Sequence, residues 1–313
     1  MEYVVGVVDA GSFTRAAALL HVTQPSLSQG IARLEAELGV ELFHRLGRRV
    51  VLTPAGEAFV EPGRHLLRDA AVVRAVVDAV SGLAAGSLDL VALPTLAVDP
   101  LAPIIGAFRR AHPAVTVRVR EPESADAVVA RVRDGRAEVG LAEGPVVDPD
   151  VVSAPLLEQE LVLLLPPGDD RRRLRIGDLV DVPLVATPLG TSTRRVLSEA
   201  FTSAGIALRI AVETEQREAL VPLVLAGAGV ALVPVALART AARQGAQIAR
   251  VEPTLRRQIA IIVRAGPLSP AARRFQELAL SLAPSLASRY GRDDRGRERG
   301  ESPVAAQDLG TIG

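Results

Sequence analysis

Residues 11–29 read Gly11-Ser12-Phe13-Thr14-Arg15-Ala16-Ala17-Ala18-Leu19-Leu20-His21-Val22-Thr23-Gln24-Pro25-Ser26-Leu27-Ser28-Gln29. Two short helices joined by a tight turn account for this stretch. Ser12 is a good N-cap, because its side-chain oxygen can accept from a first-turn amide that has no partner inside the helix. The helix it starts carries Ala16, Ala17 and Leu20 inward, and His21-Val22 makes the turn. Thr23 caps the second helix, and Pro25 sits in its first turn, where a missing N–H is harmless. Leu27, Ile31 and Leu34 share one face at helical spacing, which leaves Gln24, Ser26, Ser28, Gln29 and Arg33 on the other. A helix braced by a shorter one, with small polar groups at its N-terminal end, has the form that enters a DNA major groove. Ser12, Thr14, Thr23, Gln24, Pro25, Ser26, Ser28, Gln29 and Arg33 are therefore the candidate DNA contacts of this stretch. Their hydroxyl, amide and guanidinium groups suit base edges and phosphates. The competing reading is a solvated helix face with ordinary capping.

Working outward, Leu42-Phe43-His44-Arg45-Leu46-Gly47-Arg48-Arg49-Val50-Val51-Leu52-Thr53-Pro54-Ala55-Gly56 reads as a strand, a turn at Gly47 and a second strand. Such a hairpin beside the helices is a wing. The whole chain of 313 residues carries 36 basic and 36 acidic side chains, so any affinity for DNA must come from a local cluster. The wing supplies one: three arginines and no acid between positions 42 and 52. Arg45, Arg48 and Arg49 are candidate phosphate contacts. All basic side chains are Arg, and Lys and Asn are absent, a bias that a GC-rich genome explains.

With Gly-Ser-Phe-Thr-Arg-Ala-Ala at 11–17, Gln-Pro-Ser-Leu-Ser at 24–28, Leu-Glu-x-Glu-Leu-Gly at 34–39, Leu-Phe at 42–43 and Leu-Thr-Pro-Ala-Gly at 52–56, the region resembles the DNA-binding domain of LysR-type transcriptional regulators. Any one piece is weak; the series at fixed spacing is specific. Phe108-Arg109-Arg110-Ala111-His112-Pro113, Asp134-Gly135, Val139-Gly140-Leu141 and the run from Val224 to Pro234 are similar, more loosely, to the effector domain of that family. The resemblance implies an α+β multidomain chain: an N-terminal winged helix-turn-helix, a linker helix, and a C-terminal two-lobed α/β effector domain of the periplasmic-binding-protein type. It implies double-stranded DNA and a small-molecule effector as partners, a homodimer or homotetramer formed through the linker helix and effector domain, and RNA polymerase as a further partner. It also implies a cytoplasmic protein with no membrane contact. Two departures stand out. The first helix, about residues 2–8, is short and carries Gly6. Gly30 occupies a position in the second helix of the motif where the family tends to a longer side chain. A glycine inside a helix costs about 0.5–1 kcal/mol against alanine, and here it also removes a side chain that could meet DNA.

The remaining organisation is read from periodicity. Residues 1–58 form the winged head. Residues 59–84 read as one long helix, with Leu66, Val73, Val76, Val77 and Val80 at helical spacing, and Leu66, Val73, Val77 and Val80 as the stripe for pairing with another copy. Pro62-Gly63 should kink its first turn, and Ala85-Gly86-Ser87 looks like a hinge, so 59–86 is the linker. Residues 87–290 alternate short apolar runs (88–93, 115–119, 139–142, 161–165, 184–186, 210–212, 230–233, 259–263) with helical segments (100–111, 125–134, 193–204, 215–226, 270–282). That alternation predicts parallel α/β sheets in two lobes. Residues 291–313 are polar and aperiodic and read as a disordered tail.

The ends of these strands locate the candidate effector contacts. Thr95 follows the first strand, and Gly190-Thr191-Ser192-Thr193 opens a helix, where free N–H groups and hydroxyls suit a small carboxylate. Ala142, Glu143, Thr187, Glu213 and Thr214 lie at or past other strand ends and are candidate wall positions with Thr95, Thr191, Ser192 and Thr193. Arg194 is either an anion partner or a surface residue. Plain capping is the competing role for the threonines. No catalytic residue, cofactor or metal is expected: the chain has no cysteine, which rules out a thiol switch, and its four histidines lack ligand spacing. No phosphate loop or nucleophile elbow is present. The alternatives are a solute-binding protein, which the winged motif opposes, and a regulator whose DNA head is weakened by a truncated first helix.

Overall fold

The computed structural model describes residues 1–44, 50–80, 86–122 and 124–291. The segment read from sequence as a tail thus lies, beyond its first residue, outside the described residues. The head opens with α1 (Glu2–Ala10), α2 (Phe13–Leu19) and α3 (Gln24–Leu38). Val4 and Val7, Ala16 and Ala17, and Leu27 and Ile31 meet in one small core between the three. Both expected caps form: Arg15 N–H donates to Ser12 Oγ at 3.4 Å and Ser26 N–H to Thr23 Oγ1 at 3.3 Å. His21 takes the left-handed conformation of the turn at φ 54°. The first helix runs to Ala10 rather than Val8. Its glycine and that of α3 have a packing cause. A Cβ on Gly6 would stand 2.8 Å from Leu20 Cδ1, and one on Gly30 would stand 2.6 Å from Tyr3 Cδ2. Gly30 thus faces α1. The expectation that it forfeits a DNA contact is corrected, because a side chain there points at Tyr3.

The wing strands β1 (Phe43–His44) and β2 (Val51–Leu52) pair antiparallel. Glu35 of α3 accepts from the N–H groups of Leu42 and Phe43 at 2.7 and 3.2 Å, which ties the root of the wing to α3. The turn that carries Arg45, Arg48 and Arg49 lies outside the described residues. The long helix α4 (Pro54–Val80) starts at Pro54 rather than at 59, since Thr53 Oγ1 accepts from Gly56 N–H at 3.0 Å and caps it earlier. Pro62 sits inside the helix without ending it. Asp9 of α1 takes a two-point hydrogen bond from Arg64 of α4, one arm at 2.7 Å, and fastens the head to the helix.

The remaining elements are β3 (Gly86–Ala92), α5 (Pro94–Leu96), α6 (Ala102–Ala111), β4 (Val115–Arg120), α7 (Ala125–Arg133), β5 (Val139–Glu143), β6 (Val151–Leu165), β7 (Arg173–Arg175), β8 (Leu184–Ala186), α8 (Ser192–Ser203), β9 (Ile210–Glu213), α9 (Leu220–Leu225), β10 (Ala231–Pro234), α10 (Val235–Ala242), β11 (Gln247–Glu252), β12 (Leu255–Arg264) and α11 (Pro270–Gly291). Gly86 and Ser87 pair with Val115 and Thr116, so they belong to a strand and not to the expected hinge; Ala85 is outside the described residues. The expected helix at 100–111 begins only at Ala102, because Asp99 before Pro100 is extended.

The sheet order is β4-β3-β5-β12-β6-β11-β7, with β10 also on β6 and a separate β8-β9 pair. Purely parallel sheets are not what forms. β3 runs parallel to β4 and β5, but β12 is antiparallel to both β5 and β6. The reason is connectivity: β6 and β12 are long strands that serve both lobes. The first part of β6 pairs with β12, down to Val151 against Arg264, and its last part pairs with β10 and β11. Lobe one packs Phe108 of α6 edge-on against Phe275 of α11, ring centres 5.3 Å apart. Lobe two gathers Leu163, Leu165, Leu197 and Phe201.

The linker helix lies against lobe one. Arg68 Nε donates to Gly135 O at 2.9 Å, and Arg68 Nη1 is 3.3 Å from Glu138 and 4.0 Å from Asp89. Arg264 pairs with Asp69, and His65 Nε2 meets Arg133 O at 2.7 Å. Val72 is buried between them. Among the described residues, no helix is long and apolar enough to cross a membrane.

Candidate DNA-reading face and effector cleft

The head presents one continuous polar edge. Thr23, Gln24, Pro25, Ser26, Gln29 and Arg33 are exposed, Ser28 is half-buried, and Leu27 and Ile31 on the opposite side are buried. Gln24 Nε2 donates to Ser28 Oγ at 3.0 Å, and the hydroxyls of Thr23 and Ser26 share a hydrogen at 2.8 Å. Arg33 reaches Glu37 at 3.2 Å, with both side chains in solvent. Exposed pairs of this kind hold by under about 1 kcal/mol, so the guanidinium is open to exchange for a phosphate. Thr14 is exposed on α2, and Ser12 is half-buried at its cap.

In the effector domain the structure brings three of the expected side chains, Thr95, Glu143 and Ser192, together around two that were not expected. Arg257 of β12 is 2% exposed and Gln159 of β6, opposite it in the strand register, is 0% exposed. Arg257 Nε donates to Gln159 Oε1 at 2.8 Å, Nη1 to Ser192 Oγ at 2.8 Å, and Nη2 to Thr95 Oγ1 at 3.0 Å. Ser192 Oγ donates in turn to Glu143 Oε2 at 2.6 Å. A guanidinium buried with oxygen partners on several sides is held in place and keeps its charge. Beside this cluster lies a narrow cleft, open to solvent, lined by Leu93, Thr95, Thr191, Ser192, Thr193 and Arg217. Thr191 is the N-cap of α8, and its hydroxyl is 2.6 Å from that of Thr187, which is buried.

Three expected wall positions stand apart. Ala142 is wholly buried in the core of lobe one and offers no surface to the cleft. Glu213 is exposed and pairs with Arg194 at 3.2 Å, so Arg194 is engaged within its own lobe. Thr214 Oγ1 accepts from Gln216 N–H at 3.1 Å, which makes it a turn residue. Arg257, Gln159 and Arg217 escaped the sequence reading. The signal for the first two was a polar residue set within otherwise apolar runs. Among the described residues, no cluster of His, Asp and Glu could hold a metal ion.

Two family models match the chain, the bacterial regulatory helix-turn-helix of the lysR family over residues 1–57 and the LysR substrate binding domain over residues 81–284. The RuBisCO operon transcriptional regulator of Allochromatium vinosum is 27% identical over 292 residues, 91% of this chain and 96% of that protein. Among solved structures, a single-site variant of full-length OxyR from Pseudomonas aeruginosa matches with a TM-score of 0.74 at 27% identity, covering 92% of this chain and 95% of the other. Full-length CbnR complexed with its target DNA matches with a TM-score of 0.63 at 27% identity, covering 89% and 96%. The winged head, the long helix and the two lobes around a polar cleft thus have full-length counterparts, and the chain belongs to the LysR family of DNA-binding transcriptional regulators.

Proposed function

We propose that α3 reads an operator in the major groove and that a small molecule bound between the lobes controls the outcome. The observation that carries the first half is the division of α3: Leu27 and Ile31 are buried in the head core, and Thr23, Gln24, Ser26 and Gln29 are exposed at its leading end. In this reading Gln24, Ser26, Ser28 and Gln29 meet base edges, while Ser12, Thr14, Thr23 and Arg33 meet the backbone on either side. Pro25 shapes the first turn, and Arg45, Arg48 and Arg49 add phosphate contacts from the wing. Residues 1–58 act as the reading unit, 59–86 as the linker and 87–290 as the sensor.

For the sensor, Thr95, Thr191, Ser192 and Thr193 line the cleft with hydroxyls and Arg217 with a positive charge, while buried Arg257 holds Thr95 and Ser192 from behind. That donor set fits a small polar molecule bearing a carboxylate. With no cysteine in the chain, a thiol-based signal is outside its chemistry. Leu66, Val73 and Val77 of α4 are 56%, 64% and 57% exposed; an apolar stripe of this kind is covered when two linker helices pair. The Val80 side chain, read as part of the same stripe, lies outside the described residues, as does that of Val76. Work on double-stranded DNA in a bacterium places the chain in the cytoplasm in this reading.

Alanine scanning against an operator duplex tests the reading half. Gln29→Ala should relax discrimination at one base pair by about 1–3 kcal/mol. Arg48→Ala should weaken all sequences alike and lower the salt slope by about one. Equal behaviour of the two variants would contradict the assignment of α3 as the base reader.

A further inference from the structure

Glu143 ends β5 in lobe one, yet its carboxylate is engaged by lobe two. The side chain is 8% exposed. Its Oε2 accepts from the Ser192 hydroxyl at 2.6 Å, and its Oε1 accepts from Arg195. Both donors lie in the first turns of α8. Ser192 Oγ also accepts from Arg257 Nη1 at 2.8 Å, and Arg257 Nη2 donates back to Thr95 of lobe one at 3.0 Å. The polar chain therefore crosses the cleft twice, and the space beside it, about 180 Å³, includes the open mouth. A carboxylate buried between two lobes and held by a hydroxyl and a guanidinium of the opposite lobe stands where an acidic ligand would stand.

We propose that Glu143 is a built-in acid that keeps the two lobes closed without effector, so that an acidic effector acts by displacing it from Ser192 and Arg195. The inference rests on the effector-cleft reading above. Two carboxylates cannot share these donors cheaply, because like charges at a few ångströms repel. Binding is then an exchange of one acid for another at the same donors. The donors gain little from the exchange, and the rest of the effector decides which state prevails, as a two-state switch requires. Glu143 is a positioning residue in this scheme. It sets both the charge that the effector must bring and the resting angle of the lobes.

The cysteine-free sequence permits a clean distance measurement on the full chain. Val147→Cys in lobe one and Ser203→Cys at the end of α8 are both at exposed positions and take spin labels. The parent should give one narrow interlobe distance. Glu143→Ala and Ser192→Ala should each add a longer population. Glu199→Ala, which removes another carboxylate partner of Arg195 on the same helix, should leave the distance unchanged. Acetate added to Glu143→Ala should restore the short distance by filling the vacated place, while chloride at equal ionic strength should not. The proposal is overturned if Glu143→Ala superimposes on the parent, if Glu199→Ala widens the distribution as much, or if acetate restores nothing. Retained operator binding by the labelled parent separates any of these results from failure of the regulator reading.

Discussion

Replacing Arg68 by alanine should detach the linker helix from lobe one. Arg68 is 19% exposed and Glu138 9%, at 3.3 Å, with Asp89 at 4.0 Å on the other side. Removing one partner of a buried ion pair costs about 3–5 kcal/mol, because the other charge stays desolvated and unpaired. Two features reduce that figure: Arg68 keeps some solvent contact, and the Ser269 hydroxyl still donates to Glu138. A loss of about 2–3 kcal/mol follows. Hydrogen exchange of the full chain reads it locally, at amides 64–72 of α4 and 133–139 of lobe one. If those amides exchange through undocking, rates should rise roughly 30- to 160-fold. Glu138→Gln keeps an acceptor for Ser269 and needs no cation, so it should change the rates little. Arg68→Ala combined with Glu138→Gln should be less damaged than Arg68→Ala alone. An increase below threefold for Arg68→Ala, or no relief in the double variant, would refute the stranded-charge reasoning.

Burial pushes the Glu138 carboxyl above its usual 4.5. The folded chain therefore holds that proton more tightly than the unfolded chain does. The contribution of this carboxyl to global folding stability is complete below 4.5 and declines as pH rises through the folded value, although Arg68 opposes the shift. The free energy of global unfolding, from denaturant titration, should fall over that interval in the parent relative to Glu138→Gln; parallel pH profiles for the two would contradict it. Gly30→Arg should destabilise the head by about 1–3 kcal/mol by colliding with Tyr3, with part of the loss recovered by adding Tyr3→Ala; thermal unfolding measures both, and a variant as stable as the parent that binds DNA more tightly would place Gly30 on the outer face instead. Leu66→Glu with Val73→Glu should reduce the mass seen by light scattering while leaving helix content unchanged. The parent mass in that variant would move the subunit contact elsewhere.

The local chemistry of the head was readable residue by residue. Ser12, Thr23 and Pro25 announce two helix starts, and each forms as its side chain dictates. The effector domain was harder because its long strands break the period that identifies strands. In β6 the residues Pro155, Glu158, Gln159 and Glu160 interrupt the apolar run, so only 161–165 reads as strand from sequence. In β12, Arg256, Arg257 and Gln258 do the same. Two of those polar residues, Gln159 and Arg257, satisfy each other across the ladder where the strands pass between the lobes, and Arg257 reaches Thr95 and Ser192 of the cleft wall. The missed Gln159 and Arg257 and the missed halves of the strands thus have one cause, whereas Arg217 lies in a short turn outside both strands. The edge strand β7, its neighbour β11 and the helix α10 were also unread. Arg173 and Arg175 flank Leu174 on an edge where only one side chain is buried. α10 follows β10 at Pro234, with only Val235, Ala238 and Ala241 turned inward. Gly30 was misread for a different reason: helical spacing places it on α3, but only the packing of α1 shows that Tyr3 claims that face.

Sequence-specific recognition of DNA by a chain with no net charge must rest on the head alone. The direct measurement is binding of the purified full chain to its own upstream intergenic duplex, against a scrambled duplex of equal length, across a salt series. The native duplex should be preferred by roughly a thousandfold or more, and the preference should persist as salt rises. Both affinities should fall log-linearly with salt, with a slope of about 0.9 per phosphate contacted. Equal and weak binding of both duplexes, lost together at modest salt, would contradict it.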